Sequence, residues 1–185
     1  IKQKLMGRLA IESLTIFKET LGLTESAREL LEEREGIYGN LLSQGVTPMP
    51  GLFKLIDLLN KMGMRKAIAS SSKRQWIDLI IDNLGLRKEF EVIVCGQEVE
   101  HGKPNPDIYL LAAKKLNLDA EECLVLEDAI SGVQAAKAAK MKCIAVPNQF
   151  TQGLDFPQVD LIVNSLEEID EELLGWGDGM MGKMG

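Results

Sequence analysis

Apolar residues along this chain recur at one spacing in its first quarter and at another thereafter. Between residues 4 and 45, Ala10, Leu14, Phe17 and Leu21 fall at intervals of four, three and four, one face of a helix. Gly22 ends that run, and Thr24, or alternatively Ser26, can cap a second helix in which Ala27, Leu31, Tyr38 and Leu41 share a face. Arg34 interrupts the second stripe; a surface arginine snorkelling to solvent is the plainer reading, a ligand-facing one the alternative. Thr47-Pro48-Met49-Pro50-Gly51 then breaks helical structure. Beyond it short apolar runs alternate with helical stretches. The predicted strands are Lys66-Ala67-Ile68-Ala69, Val92-Ile93-Val94-Cys95, Cys123-Leu124-Val125-Leu126, Lys142-Cys143-Ile144-Ala145-Val146 and Leu161-Ile162-Val163. The predicted helices cover residues 52–62, the turns around Trp76 and Leu84, residues 104–116 and 133–140, and a last one capped by Ser165 and running through Leu174. This alternation predicts an α/β fold: a Rossmann-like parallel sheet with helices on both faces, plus a small helical cap. The predicted organisation is a cap over residues 1–46, a hinge at 47–51, an α/β core over 52–174 and a loose Gly- and Met-rich tail at 175–185.

Composition narrows the class. The chain has 185 residues, 45% of them hydrophobic and 26% charged, which suits a globular protein with one good core and a small second unit. A net charge of −7 without a basic run argues against nucleic acid as a partner. No apolar run is long enough to cross a bilayer, and no signal-peptide pattern is visible. Cys95, Cys123 and Cys143 are odd in number and widely spaced, as expected of reduced core cysteines in a cytoplasmic protein rather than disulfides or a zinc site. A monomer acting on a small molecule is expected.

The chemistry gathers where strands end. Glu127-Asp128 follow one strand, Ser70-Ser71-Ser72-Lys73 another, and His101-Gly102-Lys103-Pro104 a third. In a parallel α/β sheet these ends arrive at one edge, however distant in sequence. Two adjacent carboxylates after a buried strand repel each other and lose hydration, so a hard cation such as Mg²⁺ suits them. The plainer alternative is a pair of acids placed to suit a helix dipole. A hydroxyl with free backbone N–H groups, an ammonium and a carboxylate-held cation would together embrace a phosphate. Taken singly, Ser70 or Ser72 could be a capping residue and Lys103 a solvated loop lysine; their convergence on one edge favours the site.

The segments Ala67-Ile68-Ala69-Ser70-Ser71-Ser72-Lys73, Gly102-Lys103-Pro104-Asn105-Pro106-Asp107-Ile108-Tyr109 and Leu126-Glu127-Asp128 through Gly132 resemble the second, third and fourth motifs of the haloacid dehalogenase-like superfamily. The helices ahead of Pro48-Met49-Pro50-Gly51 resemble its branch with a small helical cap, which includes sugar-phosphate phosphatases, β-phosphoglucomutase and pseudouridine-5′-phosphatase. The resemblance implies that Ser70, with backbone N–H groups near Ser71, binds the transferring phosphoryl group and that Lys103 neutralises its oxygens. It further implies that Asp128 and Glu127 hold Mg²⁺, directly or through water. Lys73, at the end of the serine run, and Arg34, on the second helix, are expected on the substrate side. The family's first motif is an Asp-x-Asp on a central strand ahead of the cap, its first Asp the nucleophile and its second the general acid and base. No Asp precedes Asp57 in this chain, which begins at Ile1. A first strand carrying Asp-x-Asp is therefore expected upstream, seated between the Lys66-to-Ala69 strand and the Leu124-to-Leu126 strand. The expected function is hydrolysis of a small phosphate monoester, sugar phosphate or nucleotide-like. The alternatives are a phosphomutase, although Ala10 stands where β-phosphoglucomutase has an arginine, and a non-catalytic phosphate-binding or protein-binding descendant.

Overall fold

A computed structural model describes residues 5–175, so the expected loose tail lies outside the described residues apart from Gly175. Two helices come first, α1 (Ala10–Leu21) and α2 (Ala27–Ser43). Gly22 adopts φ 66° and sends its N–H back to the Lys18 carbonyl, the left-handed ending that glycine allows without strain. Ser26, rather than Thr24, caps α2: its side chain accepts from Glu29 N while the Glu29 carboxylate accepts from Ser26 N. The apolar stripes of this pair do not close into a core. Leu21 and Leu41 are 49% and 57% exposed, and Leu42 is the one residue of α2 that is buried. Two helices cannot enclose both their faces; the inner residues Leu14, Phe17 and Leu31 instead line a chamber shared with the α/β part.

Among the described residues that part holds five parallel strands in two sheets. β1 (Ala67–Ser70) pairs with β2 (Val92–Cys95), and β3 (Leu124–Glu127), β4 (Lys142–Ala145) and β5 (Leu161–Ile162) follow one another in order. Successive residues of β4 enter different clusters: Cys143 and Ala145 pack with Val94, Ile108, Val125 and Val133, while Ile144 packs with Leu55, Val163 and Ile169. Period-two burial on both sides is the mark of a parallel sheet covered by helices. The covering helices are α3 (Leu52–Lys61), α4 (Arg74–Asn83), α5 (Asp107–Leu116), α6 (Ile130–Ala138) and the short α7 (Glu171–Leu174).

No ladder joins β1 to β3. A groove of about 410 Å³ separates them, touched by Ala67 and Ala69 on one side and Leu124 and Leu126 on the other, with α3 and α5 residues such as Leu55 and Tyr109 lining it as well. Leu126 is 36% exposed although it sits inside a strand whose neighbour Ile144 is fully buried.

Three helix boundaries differ from the periodicity. α5 begins at Asp107, not at 104, because Asn105 precedes a proline and is steered away from helical geometry. α6 begins at Ile130, so Ser131 and Gly132 lie inside it, buried. Ser165 caps only the 3₁₀ turn Leu166–Glu168, and α7 has its own cap in Asp170, whose carboxylate accepts from Leu173 N.

Candidate active site

β1 ends on Ser70 and β3 ends on Glu127, and although no ladder joins these strands both ends open onto the same cavity. That cavity, of about 740 Å³, is lined by all seven residues singled out from the sequence: Arg34, Ser70, Ser71, Lys73, Lys103, Glu127 and Asp128. Its opposite wall is formed by α1 and α2.

Lys103 is not a solvated loop lysine. It is 5% exposed, its ammonium lies 4.6 Å from the centre of the Tyr109 ring, and it donates to the Ala69 carbonyl at 3.3 Å and to Glu127 Oε1. The other donors to Glu127 are the Tyr109 hydroxyl at 2.5 Å on Oε1, and the N–H groups of Asp128 and Ala129, each at 3.1 Å, on Oε2. Burial first, and then the Glu127 charge, push the Tyr109 phenol well above its ordinary range, so it remains a proton donor to that carboxylate. Gly132 makes this packing possible. A Cβ there would lie 2.0 Å from the Glu127 carboxyl carbon, so the carboxylate fits over the first turn of α6 because residue 132 has no side chain.

Asp128 accepts from Asn148 Nδ2 at 2.6 Å. Its pKa is raised, by burial first and by the neighbouring Glu127 charge second. Asn148 is itself fixed, its side-chain oxygen accepting from Phe150 N at 2.7 Å and its own N–H donating to Thr151 Oγ1 at 3.0 Å. The Glu127 oxygens are taken by four donors, whereas Asp128 has one side-chain donor and an excess of negative charge beside it. Oxygen donors in that state are of the kind that could hold a hard cation, Asp128 and Glu127 being the residues that would do so. Among the described residues, no cluster of three or more acidic, histidine or cysteine side chains forms a complete metal cage.

The serine loop is ordered by its own hydrogen bonds. Ser70 Oγ accepts from Ser72 N at 3.2 Å, and Ser71 Oγ donates to the Gly7 carbonyl at 2.6 Å, leaving the backbone as Ser71's means of reaching a ligand. Lys73, not Ser72, occupies the N-cap position of α4. Lys73 and Arg34 both lie 3.3 Å from the carboxylate of Glu35, and Arg34 stacks 5.2 Å above Tyr38. Sequence reasoning did not single out Glu35 or Asn148, nor did it give Tyr109 a role. Asn148 could have been found, since it lies three residues beyond β4 and so at the same sheet edge as Ser70 and Asp128. Glu35 carries no such signal, because one acid in a charged helix looks solvated.

No helix among the described residues is long and apolar enough to cross a membrane. Cys95 and Cys143 are buried free thiols, and Cys123 is a half-buried one.

Comparison with known proteins places these features in a family. The haloacid dehalogenase-like hydrolases match the chain over residues 3–146. The putative phosphatase YhcW of Bacillus subtilis is 36% identical over 157 residues, covering 85% of this chain and 71% of that protein. Hexitol phosphatase A of Escherichia coli is 37% identical over 165 residues, covering 88% of this chain and 74% of its own. Among solved structures, CbbY from Rhodobacter sphaeroides in complex with xylulose-(1,5)bisphosphate superposes with a TM-score of 0.79 at 26% identity, covering 90% of this chain and 78% of that one. With a parallel sheet of the same build and relatives named as phosphatases, the chain belongs to the haloacid dehalogenase-like hydrolase family and is a phosphoric monoester hydrolase.

Proposed function

We propose that this protein is a cytoplasmic, monomeric, Mg²⁺-dependent phosphatase of small phosphate monoesters, sugar phosphates first among them. One observation carries the reading: the buried Lys103 ammonium, held by Glu127 and the Ala69 carbonyl, shares a cavity with the Ser70 loop and Asp128. An ammonium has three N–H donors; two are engaged within the protein, so one remains for a phosphoryl oxygen. Glu127 fixes where that donor points, and Tyr109 and two backbone N–H groups fix Glu127. Ser70 and the backbone N–H groups beside it take another phosphoryl oxygen. Mg²⁺ at Asp128 would supply positive charge to the same group, and Asn148 orients that carboxylate. Positioning and charge neutralisation of this kind supply most of the catalysis in phosphoryl transfer.

The nucleophile in this proposal is an Asp on a strand upstream of Ile1, seated in the groove between β1 and β3. Its carboxylate oxygen bonds to phosphorus as the ester P–O bond breaks, and a second Asp two residues on gives the leaving oxygen its proton. That second Asp then takes a proton from water, which displaces the carboxylate and releases phosphate. The helices α1 and α2 serve as a cap, hinged at residues 47–51, that closes over the leaving group. Hexitol phosphatase A and the CbbY complex with a sugar bisphosphate support a sugar phosphate as substrate. Hydrolysis is favoured over a mutase reaction because Ala10 presents a methyl group to the cavity where a mutase has a guanidinium. The test is Lys103→Ala in the form that carries the upstream strand, assayed on sugar phosphates and a chromogenic ester. Turnover is expected to fall by orders of magnitude; a value within about threefold of wild type, under about 1 kcal/mol of barrier, contradicts the proposal.

A further inference from the structure

The outer side of the chamber is closed by side chains that phosphoryl chemistry does not use. Glu35 lies on α2, and its side chain is only 13% exposed. Its carboxylate accepts from Trp76 Nε1 at 2.5 Å and lies 3.3 Å from both Lys73 Nζ and Arg34 NH1. Trp76 is in the first turn of α4 and Lys73 caps that helix, immediately after the Ser70–Ser72 loop. One carboxylate on the helical pair thus grips two groups of the α/β part next to the proposed phosphoryl site. The grip has a fitted seat. A Cβ on Gly39 would stand 2.9 Å from the Trp76 ring, so the indole lies in a notch on α2, and Tyr38 meets it edge-on with ring centres 5.7 Å apart. Apart from Gly39 and Tyr38, these residues line the same cavity as Lys103 and Asp128.

We propose that Glu35 is a specificity-determining positioning residue: its carboxylate clasps α2 to Lys73 and Trp76, and so fixes how far the chamber opens to the leaving group. It touches no reacting atom. Removing it releases the indole and leaves Lys73 and Arg34 as two uncompensated cations on the chamber wall, changing its shape and charge together. A short ester that ends before reaching α2 does not sense that wall, whereas a sugar phosphate that spans the chamber does. The selectivity part of this proposal rests on the phosphatase reading; the clasp itself does not.

Two readouts separate the parts. The chain has two tryptophans, and Trp176 lies outside the described residues, so a Trp176→Phe background leaves Trp76 as the sole indole. In that background Glu35→Ala is expected to red-shift Trp76 emission and raise its quenching by acrylamide. Glu35→Gln, whose amide oxygen still accepts from Nε1, should keep emission near wild type. In turnover, Glu35→Ala is expected to raise KM for a hexitol phosphate by about tenfold while kcat/KM for p-nitrophenyl phosphate stays within about twofold. Gly39→Ala, which crowds the indole without touching Glu35, should shift the same selectivity. Unchanged Trp76 emission in Glu35→Ala overturns the clasp, and equal losses on both esters overturn the role in specificity. Turnover is measured in the form that carries the upstream strand; its absence in the wild type of that form counts against the phosphatase reading alone, and the emission of the Glu35 variants still decides the clasp.

Discussion

Replacing Glu127 by alanine tests the centre of the site through stability alone, with no assumption about substrate. Four donors would lose their acceptor at once: the Lys103 ammonium, the Tyr109 hydroxyl and the N–H groups of Asp128 and Ala129. Lys103 and Tyr109 are each 5% exposed, so neither can turn to bulk water in place of Glu127. Stranding one member of a buried ion pair costs about 3–5 kcal/mol. An unsatisfied buried hydroxyl adds about 1–3 kcal/mol. A water entering the space left by the carboxylate would offset part of this, since the site is polar and offers it several partners. A net loss of about 3–5 kcal/mol is expected, against a total of about 5–15 kcal/mol for a typical domain. For a chain of this length each kcal/mol moves the melting temperature by about 2–4 °C. Glu127→Ala should therefore melt about 6–20 °C below wild type by circular dichroism, with a matching fall in urea midpoint. The informative control is the double variant Lys103→Met/Glu127→Leu, which removes both charges and fills the space. It should recover the part of the loss that comes from the stranded ammonium, because burying a matched pair gains little over burying apolar groups, while the Tyr109 hydroxyl still lacks its acceptor. A single variant within about 1 kcal/mol of wild type, or a double variant no more stable than the single, refutes the reasoning.

Two further outcomes follow from the same cluster. Burial and the Glu127 charge raise the pKa of Asp128, so the folded protein holds this proton more tightly than the unfolded chain does, and ionised Asp128 costs stability above the ordinary aspartate range. Metal-free Asp128→Asn should accordingly be the more stable protein at neutral pH, the two should converge as pH falls through that range, and Mg²⁺ should raise the melting temperature of the wild type only; a stability gap that does not change with pH rejects this account. In an ordinary helix Gly→Ala stabilises by about 1 kcal/mol, yet Gly132→Ala should destabilise, because the new Cβ would fall 2.0–2.3 Å from the Glu127 carboxyl atoms; a higher melting temperature would show that the carboxylate can move aside freely.

The order of strands and helices was legible because it rests on local periodicity, and Ser70, Glu127 and Asp128 stood out as candidates because they sit where predicted strands end, whereas Arg34 stood out only by interrupting a helical stripe. What the sequence could not display were partners brought in from elsewhere. Tyr109 lies on the inner face of α5, where its ring looks like ordinary core, and only the fold reveals that its hydroxyl meets Glu127. Lys103 read singly as a loop lysine, since burial of a charge depends on an acceptor 24 residues away. Glu35 and Trp76 are 41 residues apart and on different helices, beyond any helical or strand period. In α1 and α2 the stripes marked helix faces without saying what those faces meet. Periodicity reports which residues share a face, not whether that face meets a core, and here Leu14, Phe17 and Leu31 meet a cavity while Leu41 meets solvent.

The groove between β1 and β3 ties the fold to the chemistry. Strands of a parallel sheet are normally apolar on both faces because both are covered, and β4 conforms, with Cys143, Ile144 and Ala145 fully buried. β3 conforms through Val125 and departs at Leu126, and no residue of β1 is fully buried. Leu126 and the half-buried residues Ala67 and Ala69 of β1 line the groove. The same two strands end on Ser70 and Glu127. A strand laid parallel between them would bring its own carboxyl end to the middle of the site, between the serine loop and the acidic pair, with Lys103 already reaching the Ala69 carbonyl on the groove's β1 side. Ser70, Lys103, Glu127 and Asp128 thus line one cavity, while Ala69 and Glu127 also line the groove.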